Sequence, residues 1–446
     1  MLKSRSLVDK RSLILPKRSL PFLIVIGLFG LGLGFIVNML DPLLYTEKTR
    51  QIAAPFLKNT VLSFITIMAL VVALIAQPLV GRWSDHNRGR WGRRIPYLTG
   101  GVIGLCFSLA LVGWAEHLWL LIIGAMLASA SSNTVQGAWQ ALIPDLVPPN
   151  QRGTATAVKT ILEAMGAVAG VTITGYLLTR GILWGGPAIA VTLFIAILLI
   201  TLLALTGSRN GLPPSAQSSS NQPNHPPQRE PFSVAQVKTR LWQFVRHSPP
   251  FFWWIINRIL FWSAGISLRT FMLNYVEDKQ IVSLTELKAI SNQFIVGLVA
   301  VVVLIVLLSG ILSDQLGRRP LLIGAGLLAG SGTLLLMISP TLSLFFVAAG
   351  CIVISGGIFA GASWALATDL APTNQGALYL GLANGATVIG SISGRLGGPL
   401  IDGLNHLSGD LGIGYSVVFA LAALCFFCSS LVILKIPSDG QAKSMP

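Results

Sequence analysis

Apolar stretches of about 20 residues recur along the chain, divided by short polar segments, and each is long enough to cross a hydrocarbon core of about 30 Å as a helix. They fall at about 20–41, 58–82, 95–115, 118–143, 154–179, 183–206, 251–274, 289–312, 320–339, 341–367, 375–401 and 414–435, the ninth and tenth being separated at Pro340. The pattern predicts an all-α membrane protein with twelve transmembrane helices. Leu20–Leu40 is too long for the apolar region of a signal peptide, lacks a small-residue cleavage site, and reads as the first span. One long polar insert breaks the series at 207–250. Its first part, SRNGLPPSAQSSSNQPNHPPQREP, is too rich in Pro, Ser, Asn and Gln to bury a core. In its second part Val234, Val237, Leu241, Phe244 and Val245 recur at helical spacing with Lys238, Arg240 and Arg246 between them, the pattern of a short basic helix lying on a membrane face. The expected organisation is a six-helix half at 1–206, a linker at 207–250 and a second six-helix half at 251–446.

Composition agrees with a membrane setting. Of 446 residues, 53% are hydrophobic and 11% charged, with mean hydropathy +0.72, against about 25% charge in a soluble domain. The net charge of +15 invites a nucleic-acid reading, but the positions oppose it. On this segmentation about 21 of the 31 Lys and Arg fall on one side of the membrane, among them Lys3, Arg5, Lys10, Arg11, Lys17, Arg18, Arg82, Arg88, Arg90, Arg93 and Arg94. The positive-inside rule then puts both termini and the linker in the cytoplasm, and the plasma (inner) membrane is the expected location. Cys106, Cys351, Cys425 and Cys428 all lie in predicted spans. The Cys425-x-x-Cys428 spacing occurs in redox motifs, but in an apolar helix it reads as packing. No Walker loop, HExxH or nucleophile–base set occurs, so no enzyme, cofactor or metal site is expected, and an ATP-driven pump in one chain is disfavoured.

Two stretches are written twice. Val80 to Pro96 reads VGRWSDHNRGRWGRRIP, and Ser309 to Pro320 reads SGILSDQLGRRP. WQALIPDLVPPNQRG from Trp139 returns as WALATDLAPTNQG from Trp364. A period this long marks a duplicated bundle rather than a solenoid. The duplicated GxxSD…GRR resembles the signature of the major facilitator superfamily, found between spans 2 and 3 and again between 8 and 9. That resemblance implies two six-helix halves and a cytoplasmic latch made by Gly81, Asp85, Arg93 and Arg94 with Gly310, Asp314, Arg318 and Arg319. Glycine lets helices approach closely, and an Asp at a helix end can pair with Arg or a facing helix N-terminus.

SSNTVQGAWQALIPDL from Ser131 resembles the fourth span of the sucrose–proton symporters and their relatives in the glycoside–pentoside–hexuronide group, and the long RWSDHNRGRWGRRIPY loop is similar to theirs. The resemblance implies a secondary active transporter for a sugar or polyol-like solute, working by alternating access. At one position it fails: the acid that couples protons in that family aligns with Ser129. Proton coupling is therefore left open.

Polar residues inside spans mark candidate sites. Asn133, Gln136 and Gln140 fall at i, i+3 and i+7 as one stripe, with Trp139 beside it. Amides beside an aromatic suit a sugar's hydroxyls and ring face; hydrogen bonding between helices would use the same amides. Lys159 and Glu163 are one turn apart near the midplane, either as a proton site with an internal cation or as a static ion pair. Span 7 holds Asn257, Arg258 and Arg269 with Trp254 and Trp262, and Arg258 is a candidate for the substrate cavity. Asn292, Gln293 and Asn384 are candidate ligands or structural amides, Arg395 a candidate for an outer gate, and Asp41 a candidate for coupling or gating. The expected partners are the solute, the bilayer and, where coupling holds, protons; nucleic acid is not expected, and a monomer is. An exporter of drugs or metabolites with the same fold, or a non-transporting membrane assembly factor, remains open at this stage.

Overall fold

The computed structural model describes residues 17–86, 94–148, 151–207, 249–279, 316–339, 341–370 and 376–436. The predicted surface helix at 234–246, the eighth span at 289–312 and, among the latch residues, Arg93, Gly310 and Asp314 lie outside the described residues. For Gly81 and Asp85 only the helical backbone is described.

The first half of the chain forms helices α1 (Leu20–Asn38), α2 (Tyr45–Ile52), α3 (Lys58–His86), α4 (Ile95–Trp114), α5 (Leu118–Leu146), α6 (Arg152–Thr179) and α7 (Gly185–Gly207). It continues with α8 (Pro249–Asp278), α9 (Arg318–Met337), α10 (Leu342–Leu370), α11 (Gly376–Arg395), α12 (Gly397–Ser408) and α13 (Ile413–Ile433). Among the described residues, ten helical segments are long and apolar enough to cross a membrane, and they coincide with predicted spans one to seven, nine, ten and twelve. The eleventh is α11, which runs past Leu396 into α12.

Proline and glycine set several boundaries. Pro21 and Pro96 stand in the first turns of α1 and α4, where a missing N–H costs nothing. Gly317, with φ 82°, turns the chain into α9, and Gly409, with φ 69°, closes α12; other residues rarely adopt that backbone. The first span does not stop at residue 41 as expected. The helical path breaks at Asp41 (φ −119°, ψ 115°), just before Pro42, then resumes and runs through α2. Proline has no N–H and pushes the residue before it out of the helical region, and the ladder is carried past the break in a wider register, with Tyr45 N–H donating to the Leu40 carbonyl.

The described residues fall into two compact units. One contains the chain up to Ala204 with the segment from Arg269 at the end of α8 and Arg395–Tyr415. Its core includes Phe29, Leu33, Phe35, Leu62, Ile65, Leu105, Leu109, Leu121 and Phe194. Helices α1 and α6 touch backbone to backbone. A Cβ on Gly34 would run into the carbonyl of Glu163, one on Gly166 into that of Leu31, and one on Gly170 into that of Phe35. Lipid offers no hydrophobic drive for helix association, so this close approach supplies the packing. At the end of α4, buried Lys48 of α2 donates to the carbonyls of Gly113 (2.6 Å) and Ala115 (3.1 Å), caps that α4 lacks by itself.

The other unit contains Leu205–Leu268, Leu304–Gly394 and the chain from Ser416. Phe261 stacks on Phe359 with ring centroids 3.6 Å apart and meets Phe426 edge-on at 4.9 Å. Gly390 and Gly394 of α11 press on the backbone of α8 at Ile259 and Ser263. They follow Gly166 and Gly170 at the interval of the other repeats, so the duplication extends to the small residues that pack span 5 on span 1 and span 11 on span 7.

Candidate functional site

A cavity of about 400 Å³ opens between α1, α5 and α6. Leu33, Gly34, Val37 and Asn38 line it from α1, Ser132, Asn133 and Gln136 from α5, and Thr160, Glu163, Ala164 and Ala167 from α6. The glycine contacts between α1 and α6 bring Glu163 beside α1. The i, i+3 spacing of Asn133 and Gln136 turns both into the same space.

The polar groups around the cavity divide into committed and uncommitted ones. Asn133 Nδ2 donates to Ser129 O at 2.8 Å, which orients its Oδ1 as a fixed acceptor. Thr160 Oγ1 donates to Thr156 O at 3.0 Å. Among the described residues, Gln136 makes no hydrogen bond and Glu163 neither a hydrogen bond nor an ion pair. Of the two readings of Lys159 and Glu163, the static ion pair does not form: Lys159 Nζ sits over the Trp139 ring, 4.9 Å from its centroid. Trp139 is fully buried and donates Nε1–H to Ile26 O at 2.6 Å, so it is a platform behind the cavity, not part of its wall. Gln140, one turn along α5 from Gln136, is exposed away from it. Ser129, at the position of the acid in the resembling family, gives its hydroxyl to the carbonyl of Ala69 on α3.

In the other unit, Arg258 is 3% exposed, with Nε 2.8 Å from Thr387 Oγ1 and Nη1 3.1 Å from Ser363 Oγ. Its guanidinium lies 4.6 Å from the Trp364 ring, 5.3 Å from Trp254 and 5.9 Å from Trp262. Trp139 and its repeat partner Trp364 thus each face a cation. Asn257 bonds Ser429 O at 3.0 Å and is buried, while Asn384 is exposed on α11. Of the described latch residues, Arg94 pairs with Asp145 (3.0 Å) and donates to Ser84 Oγ (2.9 Å), Arg318 pairs with Asp369, and Arg319 donates to Leu434 O (2.7 Å). Asp145 and Asp369 are themselves repeat equivalents.

A second polar cluster in the first unit contains two residues singled out from the sequence, Asp41 and Arg395, and several that were not. Asp41 and Arg395 pair at 2.6 Å. Asp402 of α12 accepts from Asn59 Nδ2 (2.8 Å), Thr60 N (2.6 Å) and Thr60 Oγ1 (2.7 Å), capping the start of α3. Asn59 also donates to Tyr415 Oη (3.0 Å), whose hydroxyl donates to Asp278 (2.7 Å). Lys58 pairs with Asp278 and Arg50 with Glu277, while Asn274 donates to Asn59 Oδ1 (2.8 Å). Residues of both sequence halves therefore join at the loop ends of α2, α3, α8 and α12. The available signal was opposite charge at span ends: Arg50 and Lys58 in one half, Glu277 and Asp278 in the other. Among the described residues no group of His, Cys, Asp and Glu is arranged to hold a metal ion.

Comparison with known proteins follows the same lines. The family model for the Major Facilitator Superfamily matches residues 22–394. The sucrose transport protein SUT4 of Oryza sativa subsp. indica is 30% identical over 130 residues, covering 24% of this chain and 22% of that protein. The proton-associated sugar transporter A of Homo sapiens is 25% identical over 209 residues, covering 43% of this chain and 27% of that protein. The match thus spans about a quarter of the length of these relatives. Among solved structures, an inward-facing, unoccupied bacterial homolog of the human lysosomal transporter Spinster has TM-score 0.68 at 17% identity, covering 94% of this chain and 99% of that one. A D-xylose–proton symporter has TM-score 0.65 at 16% identity, covering 95% and 99%. At these identities the shared property is the fold.

Proposed function

This chain belongs to the Major Facilitator Superfamily, and from that premise we propose that it carries a sugar or related polyol-like solute across the membrane by alternating access. The observation that carries this reading is the cavity between α1, α5 and α6. Its volume of about 400 Å³ falls in the range of small-molecule sites. Its wall offers an oriented acceptor at Asn133 and, unbonded among the described residues, the amide of Gln136 and the carboxyl of Glu163. A sugar presents closely spaced hydroxyls that both donate and accept, and such a set satisfies them. The relatives named for sucrose and for proton-associated sugar transport support the same class.

In this reading Glu163 takes the coupling role that Ser129 cannot fill, and Lys159, held over Trp139, is the internal cation near it. Arg258 and Asn384 contribute from the second half. Residues 1–206 and 251–446 act as the two moving halves, joined by the linker 207–250. Gly81, Asp85, Arg93 and Arg94, with Gly310, Asp314, Arg318 and Arg319, form the latch on the side of the linker. The charge asymmetry supports cytoplasmic termini in the plasma (inner) membrane. One chain builds the cavity, which supports a monomer as the working unit.

The test is uptake into proteoliposomes of a radiolabelled panel of monosaccharides, disaccharides and polyols, with and without an imposed pH gradient. Saturable uptake or counterflow of a panel member is the expected result. Absence of both for every member in correctly inserted protein would overturn the sugar reading. Accumulation that collapses with the gradient would establish proton coupling.

A further inference from the structure

Asn38 stands at the junction between the cavity and the cluster around Asp41. It lines the cavity from the last turn of α1. Its Nδ2 donates to Gly34 O at 2.9 Å, so the amide is held in one orientation and Oδ1 faces away from that bond. That Oδ1 accepts from Arg269 Nη2 at 3.2 Å. The same nitrogen donates to the backbone carbonyl of Asp41 at 2.6 Å. This carbonyl lies where the helical path breaks, at the residue whose φ and ψ leave the helix. Asp41 Oδ2 in turn accepts from Arg395 at 2.6 Å, while its Oδ1 is buried without a hydrogen-bond partner among the described residues. One guanidinium nitrogen therefore spans a cavity-wall amide and the carbonyl of the residue that holds Arg395.

We propose that Arg269 is the positioning residue that couples occupancy of the cavity to the Asp41–Arg395 closure. This rests on the cavity being the solute site. A solute that engages the Asn38 amide turns or polarises it and changes its hold on Arg269. Nη2 serves two acceptors, so a change at one is felt at the other. The Asp41 turn is then freed or tightened, and with it the pair to Arg395. Arg395 begins the segment that leads into α12, where Gly398 packs directly on Ser63 of α3 and Asp402 caps that helix. Loosening of Arg395 is thus transmitted to the α3–α12 contact. Arg269 need not touch the solute for this, and a lysine, with no planar fork, would serve the two acceptors less well.

Ser63 is 2% exposed beneath Gly398, so a thiol placed there reports opening of this contact. The experiment measures the rate of N-ethylmaleimide modification of Ser63→Cys in the purified full chain, read by mass spectrometry of that peptide. Arg395→Gln serves as the positive control and should raise the rate about tenfold. Without solute, Arg269→Gln and Asn38→Ala should each raise it severalfold, and the two together no more than Arg269→Gln alone, because Asn38 acts through Arg269. Arg269→Lys should fall between. Independent, multiplying effects of Asn38→Ala and Arg269→Gln, or no effect of Asn38→Ala, would overturn the coupling. If Arg269→Gln does not fold, the same cycle with Arg269→Lys decides.

A second arm adds sucrose as the probe. In the Ser63→Cys protein it should change the labelling rate; in the Arg269→Gln variant it should still raise the melting temperature but leave labelling unchanged. Sucrose that alters labelling equally in both would sink the proposal. Failure of sucrose and of the sugar panel to bind the parent protein would count against the sugar reading instead, and the arm without solute would still judge the relay.

Discussion

Arg395 Nη2 lies 2.6 Å from Oδ2 of Asp41, joining residues 354 positions apart, with side chains 8% and 15% exposed. Removing one partner of such a pair leaves the other charge buried and uncompensated. Arg395→Gln is therefore expected to destabilise the protein by up to about 3–5 kcal/mol. The double variant Asp41→Asn with Arg395→Gln should lose less, because neither charge is stranded. Thermal unfolding in detergent checks this; equal losses in the single and double variants would deny the pairing an energetic role.

Gln136→Ala should weaken solute binding by about tenfold, the effect of losing one to two neutral hydrogen bonds. Its amide bonds no neighbouring helix among the described residues, so the melting temperature should hardly move. A large stability loss at unchanged affinity would make Gln136 a structural residue.

Glu163→Gln should abolish accumulation driven by a pH gradient and preserve counterflow exchange. The carboxylate borders the cavity and has no ion-pair partner among the described residues, so its loss strands no described cation. For the same reason Lys159→Met should bring no rescue. Gradient-driven accumulation by the glutamine variant would remove Glu163 from coupling and turn attention to Asp41.

Gly34→Ala should lower stability by about 1–3 kcal/mol through forced separation of α1 from α6. The added methyl would meet the carbonyl of Glu163, and backbone cannot give way as a flexible side chain would. Gly175→Ala on α6, where nothing among the described residues lies within 4 Å, is the control and should be tolerated. Similar melting temperatures for both variants would refute the close packing.

The positions of the spans were legible because lipid leaves the backbone no partner but itself. A run of about 20 apolar residues then has essentially one solution, a helix. Ten such helices among the described residues follow the predicted spans. The duplication was also readable, since both copies keep the same residue types in the same order, although the first carries four extra residues between Asp85 and Gly92. Periodicity placed Asn133 and Gln136 on one face, and the cavity lies along that face. The same periodicity could not say how far that face extends. Gln140 shares the stripe yet is exposed away from the cavity, and Trp139 is sealed against Ile26. Lys159 and Glu163, one turn apart, suggested a pair, but packing turned the lysine to an aromatic face. Local spacing settles which side chains share a face of a helix. The partner that face meets depends on how helices distant in sequence approach, and here glycines at Gly34, Gly166 and Gly170 decide that approach. The pairing of Asp41 with Arg395, and the bridge from Asn38 through Arg269, arise only once those backbones are in place. Hydrogen bonds and ion pairs act over a few ångströms, and no pattern along the chain measures that distance.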